Sequence, residues 1–207
     1  MKTELLSTEH PSAIAHTLDV LNHGGLVVFP TDTVYGLAAL PFQSLSIERL
    51  YIVKGRSSQK AIAILLGKRT QLDLVASTMS PMAIRLAEKF WPGPLTLVVE
   101  RNPSLPDVLT PDNTIGVRMP DHPVALALLR LSGPLAVTSA NLSGQPSSIT
   151  AQEVLAQLGG RIHLVLDGGR TPGGIPSTVV DCTAITPVII RVGPVSAEQI
   201  EATLGTE

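Results

Sequence analysis

Gly24-Gly-Leu-Val-Val-Phe-Pro-Thr-Asp-Thr-Val-Tyr-Gly36 decides how this chain is read. Leu26–Phe29 is a short, wholly apolar run bounded by a glycine pair and a proline, the pattern of a strand buried on both faces. Just before it, Ile14, Leu18 and Leu21 recur at helical spacing after Pro11 and stop at Gly24-Gly25. Just after it come two threonines and an aspartate at the strand's end. Such a loop either orients a small polar ligand or is a turn whose side chains satisfy its own backbone.

The same alternation continues outward. Helices are expected from about Leu45 to Val53, stopping before Gly55, and from Ser80-Pro81 to Phe90, where Trp91-Pro-Gly-Pro94 ends the pattern. Further helices are expected from about Pro123 to Leu131, from the Thr150/Glu153 capping pair to Leu158, and from Ser196/Gln199 to near Gly205. Between them Ala61–Leu66, Leu95–Val99, Ile115–Arg118, Leu135–Thr138, Ile162–Leu166, Thr178–Cys182 and Val188–Val192 read as strands. Short strands interleaved with helices specify an α/β or α+β fold with a mixed sheet. The 17 prolines and 17 glycines cluster at the joints, which favours one domain with a loop-built site.

Bulk composition narrows the field. A chain of 207 residues with 44% apolar composition can bury one substantial core, and residues 1–207 read as a single domain. No stretch approaches the ~20 continuous apolar residues of a membrane helix, and Met1–Ser12 lacks the pattern of a secretion signal. The expectation is a soluble cytoplasmic protein. Cys182, the one cysteine, sits in strand-like surroundings, and His10, His16, His23, His122 and His163 show no metal-ligand spacing. A net charge of −2 argues against a strongly basic nucleic-acid binder. Yet Arg49, Lys54, Arg56, Lys60, Lys68 and Arg69 form a run with no acid among them, which is either a solvated face or part of an anion site.

Four further segments carry side chains suited to chemistry. Lys54-Gly-Arg56, at a helix end, suits a phosphate, although cations at a helix C-terminus are also favoured by the dipole alone. Arg118, in an apolar strand, needs an anion: a substrate carboxylate, a phosphate or a protein carboxylate. Thr138-Ser-Ala-Asn-Leu-Ser-Gly144, with Ser147 beyond it, offers neutral hydrogen-bonding groups for phosphate oxygens, or forms an ordinary polar turn. Asp167–Thr178, with four glycines, reads as a mobile flap, a ligand-hugging loop or a plain connector, and Arg191 is a second cation in an apolar strand. The GxxxxGK[ST], GxSxG and GxGxxG patterns are absent from the sequence.

Taken in order, Pro30–Leu37, Lys54-x-Arg56, Gly116-Val-Arg-Met-Pro120, Ser139-Ala-Asn-Leu-Ser-Gly144 and Pro176–Asp181 resemble the YrdC family, the threonylcarbamoyl-AMP synthases, over about residues 25–193. The resemblance implies a YrdC-like domain with a twisted mixed sheet and a large concave, positively charged face. It also implies a nucleotidyltransferase taking ATP, L-threonine and bicarbonate, with Mg2+ required, and releasing threonylcarbamoyl-AMP and pyrophosphate. A separate transferase complex would then carry the threonylcarbamoyl group to an adenosine beside the tRNA anticodon. By position, Lys54 and Arg56 would be catalytic and would meet the ATP phosphates. Thr114, Ser139, Asn141, Ser147 and Arg191 would also lie on the nucleotide side, while Thr31, Arg118 and Ser177 would hold threonine. No protein metal ligand is implied.

Two positions depart from the family pattern. Ser57 stands where many relatives have proline, and Leu65 where some longer relatives have a threonine-contacting histidine. The length is that expected of a short form without the extra C-terminal domain. Three other functions fit less of the sequence: a paralogue with a different carbamoyl substrate, a scaffold for the transferase, and a non-catalytic binder of double-stranded RNA or tRNA. Only weak, salt-sensitive RNA binding through Arg49–Arg69 is expected, because net charge and aromatic content are both low.

Overall fold

The computed structural model describes residues 2–205, which run β1 (Glu4–Ser7), α1 (Ala13–Asn22), β2 (Val27–Phe29), β3 (Gly36–Ala39), α2 (Ser44–Lys54) and β4 (Ala63–Leu65) in the first third. Then come β5 (Ala76–Thr78), α3 (Pro81–Phe90), β6 (Leu95–Arg101), β7 (Thr114–Arg118), α4 (Pro123–Ser132) and β8 (Leu135–Ser139). The chain ends with α5 (Ala151–Leu158), β9 (Leu164–Asp167), β10 (Thr178–Asp181), β11 (Val188–Arg191) and α6 (Ala197–Leu204). Every helix expected from the sequence is present. The caps explain where they start: Ser80, Thr150 and Ser196 each accept a backbone N–H with their hydroxyl, and Ser196 and Gln199 complete a capping box.

The strands form a mixed α/β sheet in the order β1-β9-β2-β3-β8-β4-β7-β6-β10-β11, with β5 beside β6. The pairs β1/β9, β2/β9, β4/β7 and β6/β10 are parallel, and the rest are antiparallel. Three strands have no clear signal in the sequence. β1 is a mostly exposed edge strand in a polar stretch. β5 is a three-residue strand, and β3 is Gly-Leu-Ala-Ala, made a strand by its neighbours β2 and β8 rather than by propensity.

Alternation along the strands feeds two cores. On one face, Val27, Phe29, Ala38, Leu135, Val137, Leu164 and Leu166 pack with Ala13 and Leu21 of α1 and Ala125, Leu128 and Leu129 of α4. On the other face, Val28, Leu37, Ile64, Leu97, Val117 and Val180 join residues of α2, α3, α5 and α6. The second core runs from β9 across to β11, whereas the first stops at β4. Neither takes a residue from the α1/α4 side of β6, β7 and β10. That half of the sheet keeps one face without a helical cover, and Thr96, Val98, Thr114, Gly116, Arg118 and Val179 lie on it by the period of two.

One expectation changes here. Val188, Ile190 and Arg191 are exposed on the outermost strand, so Arg191 is not a cation buried inside an apolar strand. A register irregularity between Val179 and Val180 sets Arg191 opposite Val179. Such a bulge re-aims a side chain, here towards the residues that lead into β10. No helix among the described residues is long and apolar enough to cross a membrane.

Candidate functional site

The loops that follow the strands wall in the uncovered face, and the end of α2 supplies its first cation. Gly55 ends that helix with φ 58°, a conformation glycine adopts without strain, and its N–H and that of Arg56 bond back to Ile52 and Tyr51. The turn separates the two cations. Lys54 is buried, with Nζ donating to the carbonyl oxygens of Ser139 and Asn141, the latter at 2.6 Å, and to Asn141 Oδ1 at 3.4 Å. Burial, helped by the charge of Arg56, lowers its pKa to about 7. Arg56 is half-buried and arches over the next turn, from Nε to Lys60 O at 3.1 Å and from Nη2 to Ala61 O at 2.8 Å. The basic run Arg49–Arg69 is therefore split, since Arg49, Lys60, Lys68 and Arg69 remain exposed.

Asn141 ties the loop after β8 from the other side, donating through Nδ2 to Leu142 O and Gln145 O, each at 2.8 Å. Ser139 and Ser147 are half-buried in this loop, and Thr114 is half-buried at the start of β7, opposite Glu100. Between these groups the floor is small. A Cβ built on Gly116 would stand 3.5 Å from the Cβ of Ala63 and 3.2 Å from a methyl of Thr96.

Arg118 anchors the opposite end. Only 5% exposed, it donates from Nε to Gly93 O at 3.0 Å, from Nη1 to Thr33 Oγ1 at 3.0 Å and from Nη2 to Asp32 Oδ1 at 2.5 Å. Of the partners open to it in the sequence, a protein carboxylate is the one present. Asp32 and Thr33, noted in the sequence only as loop residues that could orient a ligand or satisfy a turn, were not assigned to the site. Both lie in the quoted loop, but their contact with a strand 85 and 86 residues away leaves no local pattern.

Thr31 is turned into its own loop, with its hydroxyl donating to Val34 O at 2.7 Å and lying 3.0 Å from Thr33 Oγ1. Ser177 is buried, 2.8 Å from Thr96 Oγ1, and accepts from Nη2 of Arg191 at 3.0 Å, while Nε of Arg191 donates to Ser177 O at 2.9 Å. Repulsion runs along the site from cation to cation. Arg56 lowers the pKa of Lys54 and Arg191 after the larger effect of burial, and Arg191 that of Arg118, where burial and the opposing pull of Asp32 are both larger.

The glycine-rich segment Asp167–Thr178 is pinned in this state. Tyr35 Oη donates to Gly169 O at 2.7 Å and accepts from Gly168 N, while Gly174 N donates to Thr33 O and Thr171 N to Ile149 O. Burial pushes the Tyr35 pKa up to about 12, so the phenol stays a donor. Gly193 closes the same corner: a Cβ there would meet Thr178 N at 2.4 Å, Pro176 O at 2.5 Å and Ser177 C at 2.6 Å. Gly193→Ala is therefore expected to destabilise the fold by about 1–3 kcal/mol. Denaturant unfolding checks this, and a midpoint equal to wild type would show that the contact relaxes freely. Cys182 is buried and its pKa is pushed up to about 12, so it stays a thiol away from this chemistry.

The arrangement can hold two anions, one by Lys54, Arg56 and the Ser139–Asn141 loop, the other by Arg118 and Ser177. Comparison with known proteins identifies the family. The family model Sua5_yciO_yrdC, described as telomere recombination, matches residues 19–193. The threonylcarbamoyl-AMP synthase of Bacillus subtilis is 42% identical over 98% of the chain, which spans only 59% of that longer protein. The structure of Pyrococcus abyssi Sua5 complexed with L-threonine superposes with a TM-score of 0.93 and 38% identity, covering 99% of this chain and 61% of that one. E. coli YciO gives a TM-score of 0.85 at 25% identity, covering 96% of this chain and 98% of its own.

Proposed function

The chain belongs to the Sua5, YciO and YrdC family, and from that premise we propose that it makes threonylcarbamoyl-AMP and pyrophosphate from L-threonine, bicarbonate or CO2, and ATP. The observation that carries this reading is the convergence of Lys54 and Arg56 at the end of α2 with Arg118 and Arg191 of the sheet, in which Arg56 repels Lys54 and Arg191 and Arg191 repels Arg118, so that a triphosphate and an amino-acid carboxylate would relieve the repulsion. Threonine's amine nitrogen attacks the carbon of CO2 and loses a proton, giving a carbamate. A carbamate oxygen then attacks the α-phosphorus of ATP, the bond from that phosphorus to the bridging oxygen breaks, and pyrophosphate leaves. The carbamate is already anionic, so this second step needs no general base.

As the ammonium, Nζ of Lys54 has three protons and three protein acceptors, but one bond is long. A phosphate oxygen would replace that bond to Asn141 Oδ1 while the two backbone bonds keep the loop in place. Arg56 and Arg191 would add charge, and Thr114, Ser139, Asn141 and Ser147 neutral hydrogen bonds, so catalysis is positioning plus electrostatics. Among the described residues no group of three or more His, Cys, Asp or Glu is placed to hold a metal. In this reading magnesium arrives with ATP as part of the substrate and screens the phosphate charge. The product would pass to a separate transferase acting on tRNA, with RNA itself bound weakly. The enzyme would work in the cytoplasm.

The test is incubation with ATP, Mg2+, bicarbonate and single amino acids, with mass detection of the carbamoyl-adenylate. Threonine should give the highest yield. Serine, one methyl smaller, should follow at a disadvantage of about 1–3 kcal/mol, or roughly 10–200-fold. Valine has the same shape without the hydroxyl, and equal pyrophosphate release with valine would overturn the assignment of threonine.

A further inference from the structure

Asp32 is a charged group at the site that the roles above leave unused. Its side chain is 11% exposed and its Oδ1 is taken by Arg118. A buried ion pair that served only the fold would be expected to fill its remaining lone pairs and protons, because desolvating them is costly. This pair does not. A guanidinium carries one N–H on Nε and a pair on each terminal nitrogen. Gly93 O, Thr33 Oγ1 and Asp32 Oδ1 use one from each nitrogen. Each terminal nitrogen thus keeps one N–H, and Asp32 keeps Oδ2, with no hydrogen-bond partner among the described residues.

A second observation marks the same corner. The half-buried imidazole of His122, close enough to feel the charge of Asp32, has a buried Nδ1 without a partner. Burial lowers the pKa of this ring against the opposing pull of Asp32 and Asp121, so His122 does not neutralise Asp32 at neutral pH. Unused donors on a cation and an unused acceptor on its adjacent anion are complementary to a zwitterion whose carboxylate and ammonium share one carbon.

We propose that Asp32 receives the α-ammonium group of the bound amino acid while the free N–H groups of Arg118 receive its carboxylate, so that the pair selects α-amino acids over the same acids lacking the amine. This rests on the reading of the site as an amino-acid site. It adds a specificity-determining residue and a reason for the salt bridge: Arg118 need not give up Asp32 when substrate binds. The bound ammonium then lies beside the carboxyl group it shares a carbon with, held in one orientation before it loses its proton.

Calorimetry with L-threonine and with the matching hydroxybutanoate, which is threonine without its amine, tests this in the presence of a non-hydrolysable ATP analogue. Wild-type protein should bind threonine about 10- to 100-fold more tightly than hydroxybutanoate. Asp32→Asn should erase that preference by weakening threonine and leaving hydroxybutanoate unmoved. Equal weakening of both ligands in the variant would assign Asp32 to the fold alone and overturn the proposal. Equal affinity of the wild type for both ligands would do the same, without depending on whether the variant folds. If wild type binds no threonine at all, the amino-acid reading itself fails, a result distinct from either of these.

Discussion

Lys54→Met is expected to lower kcat/KM for ATP by roughly 10²–10³, about 2.7–4 kcal/mol, the scale of losing a donor aimed at developing charge. The structure gives the loss two sources. The positive charge nearest the Ser139–Asn141 loop disappears, and the carbonyl oxygens of Ser139 and Asn141 lose the ammonium that holds them. Unfolding should therefore register the change too, by about 1–3 kcal/mol for a buried acceptor left unpaired. Arg56→Ala separates the two sources, because its protein partners are the carbonyls of Lys60 and Ala61 in a largely exposed turn. It should lose activity and keep its unfolding midpoint. The lowered pKa of Lys54 adds a signature. Its folded value of about 7 lies below that of an unfolded lysine, so between those limits the unfolded chain binds the extra proton. Wild type should gain stability relative to Lys54→Met as pH rises from about 7 towards 10, with the penalty fully present below that window. Normal turnover by Lys54→Met would remove Lys54 from the site.

Arg118→Ala is expected to destabilise the protein by about 3–5 kcal/mol, because it leaves the carboxylate of Asp32 buried without its partner. Arg118→Ala combined with Asp32→Asn should cost less than Arg118→Ala alone, since the double variant buries no unpaired charge. Function is read best from Arg118→Lys, which keeps a cation and loses the planar fork. It should raise KM for threonine and leave ATP affinity nearly intact. Calorimetry with each substrate, with thermal melts as the control, measures both parts. Loss of ATP binding with threonine binding kept would invert the assignment of the two anion positions.

What the sequence made legible follows physical range. Helices with a capping hydroxyl, such as those opened by Ser80 and Ser196, announce themselves within four residues, and so do runs such as Leu26–Phe29 that are apolar throughout. β3 did not, because Gly-Leu-Ala-Ala becomes a strand only when β2 and β8 flank it. The site was legible as a set of residue types but not as a set of partners. Lys54, Arg56 and Arg118 stand out as cations needing an explanation. That Lys54 braces the loop at Asn141, or that Arg118 meets Asp32, depends on contacts 87 and 86 residues apart. Arg191 was misread for the opposite reason, since an apolar run at the edge of a sheet looks in sequence like one at its centre.

The half-covered sheet ties heredity to geometry. Along β6 and β7, odd and even positions divide between the core and the lining of the site: Leu97 and Val117 on one side, Thr96, Gly116 and Arg118 on the other. Substitution can alter either set separately. Inserting or deleting one codon between Ile115 and Arg118 would exchange the two sets, turning the guanidinium into the core and a valine into the site. Divergence within these strands is thereby confined to point changes, and gain or loss of residues is left to the loops between them.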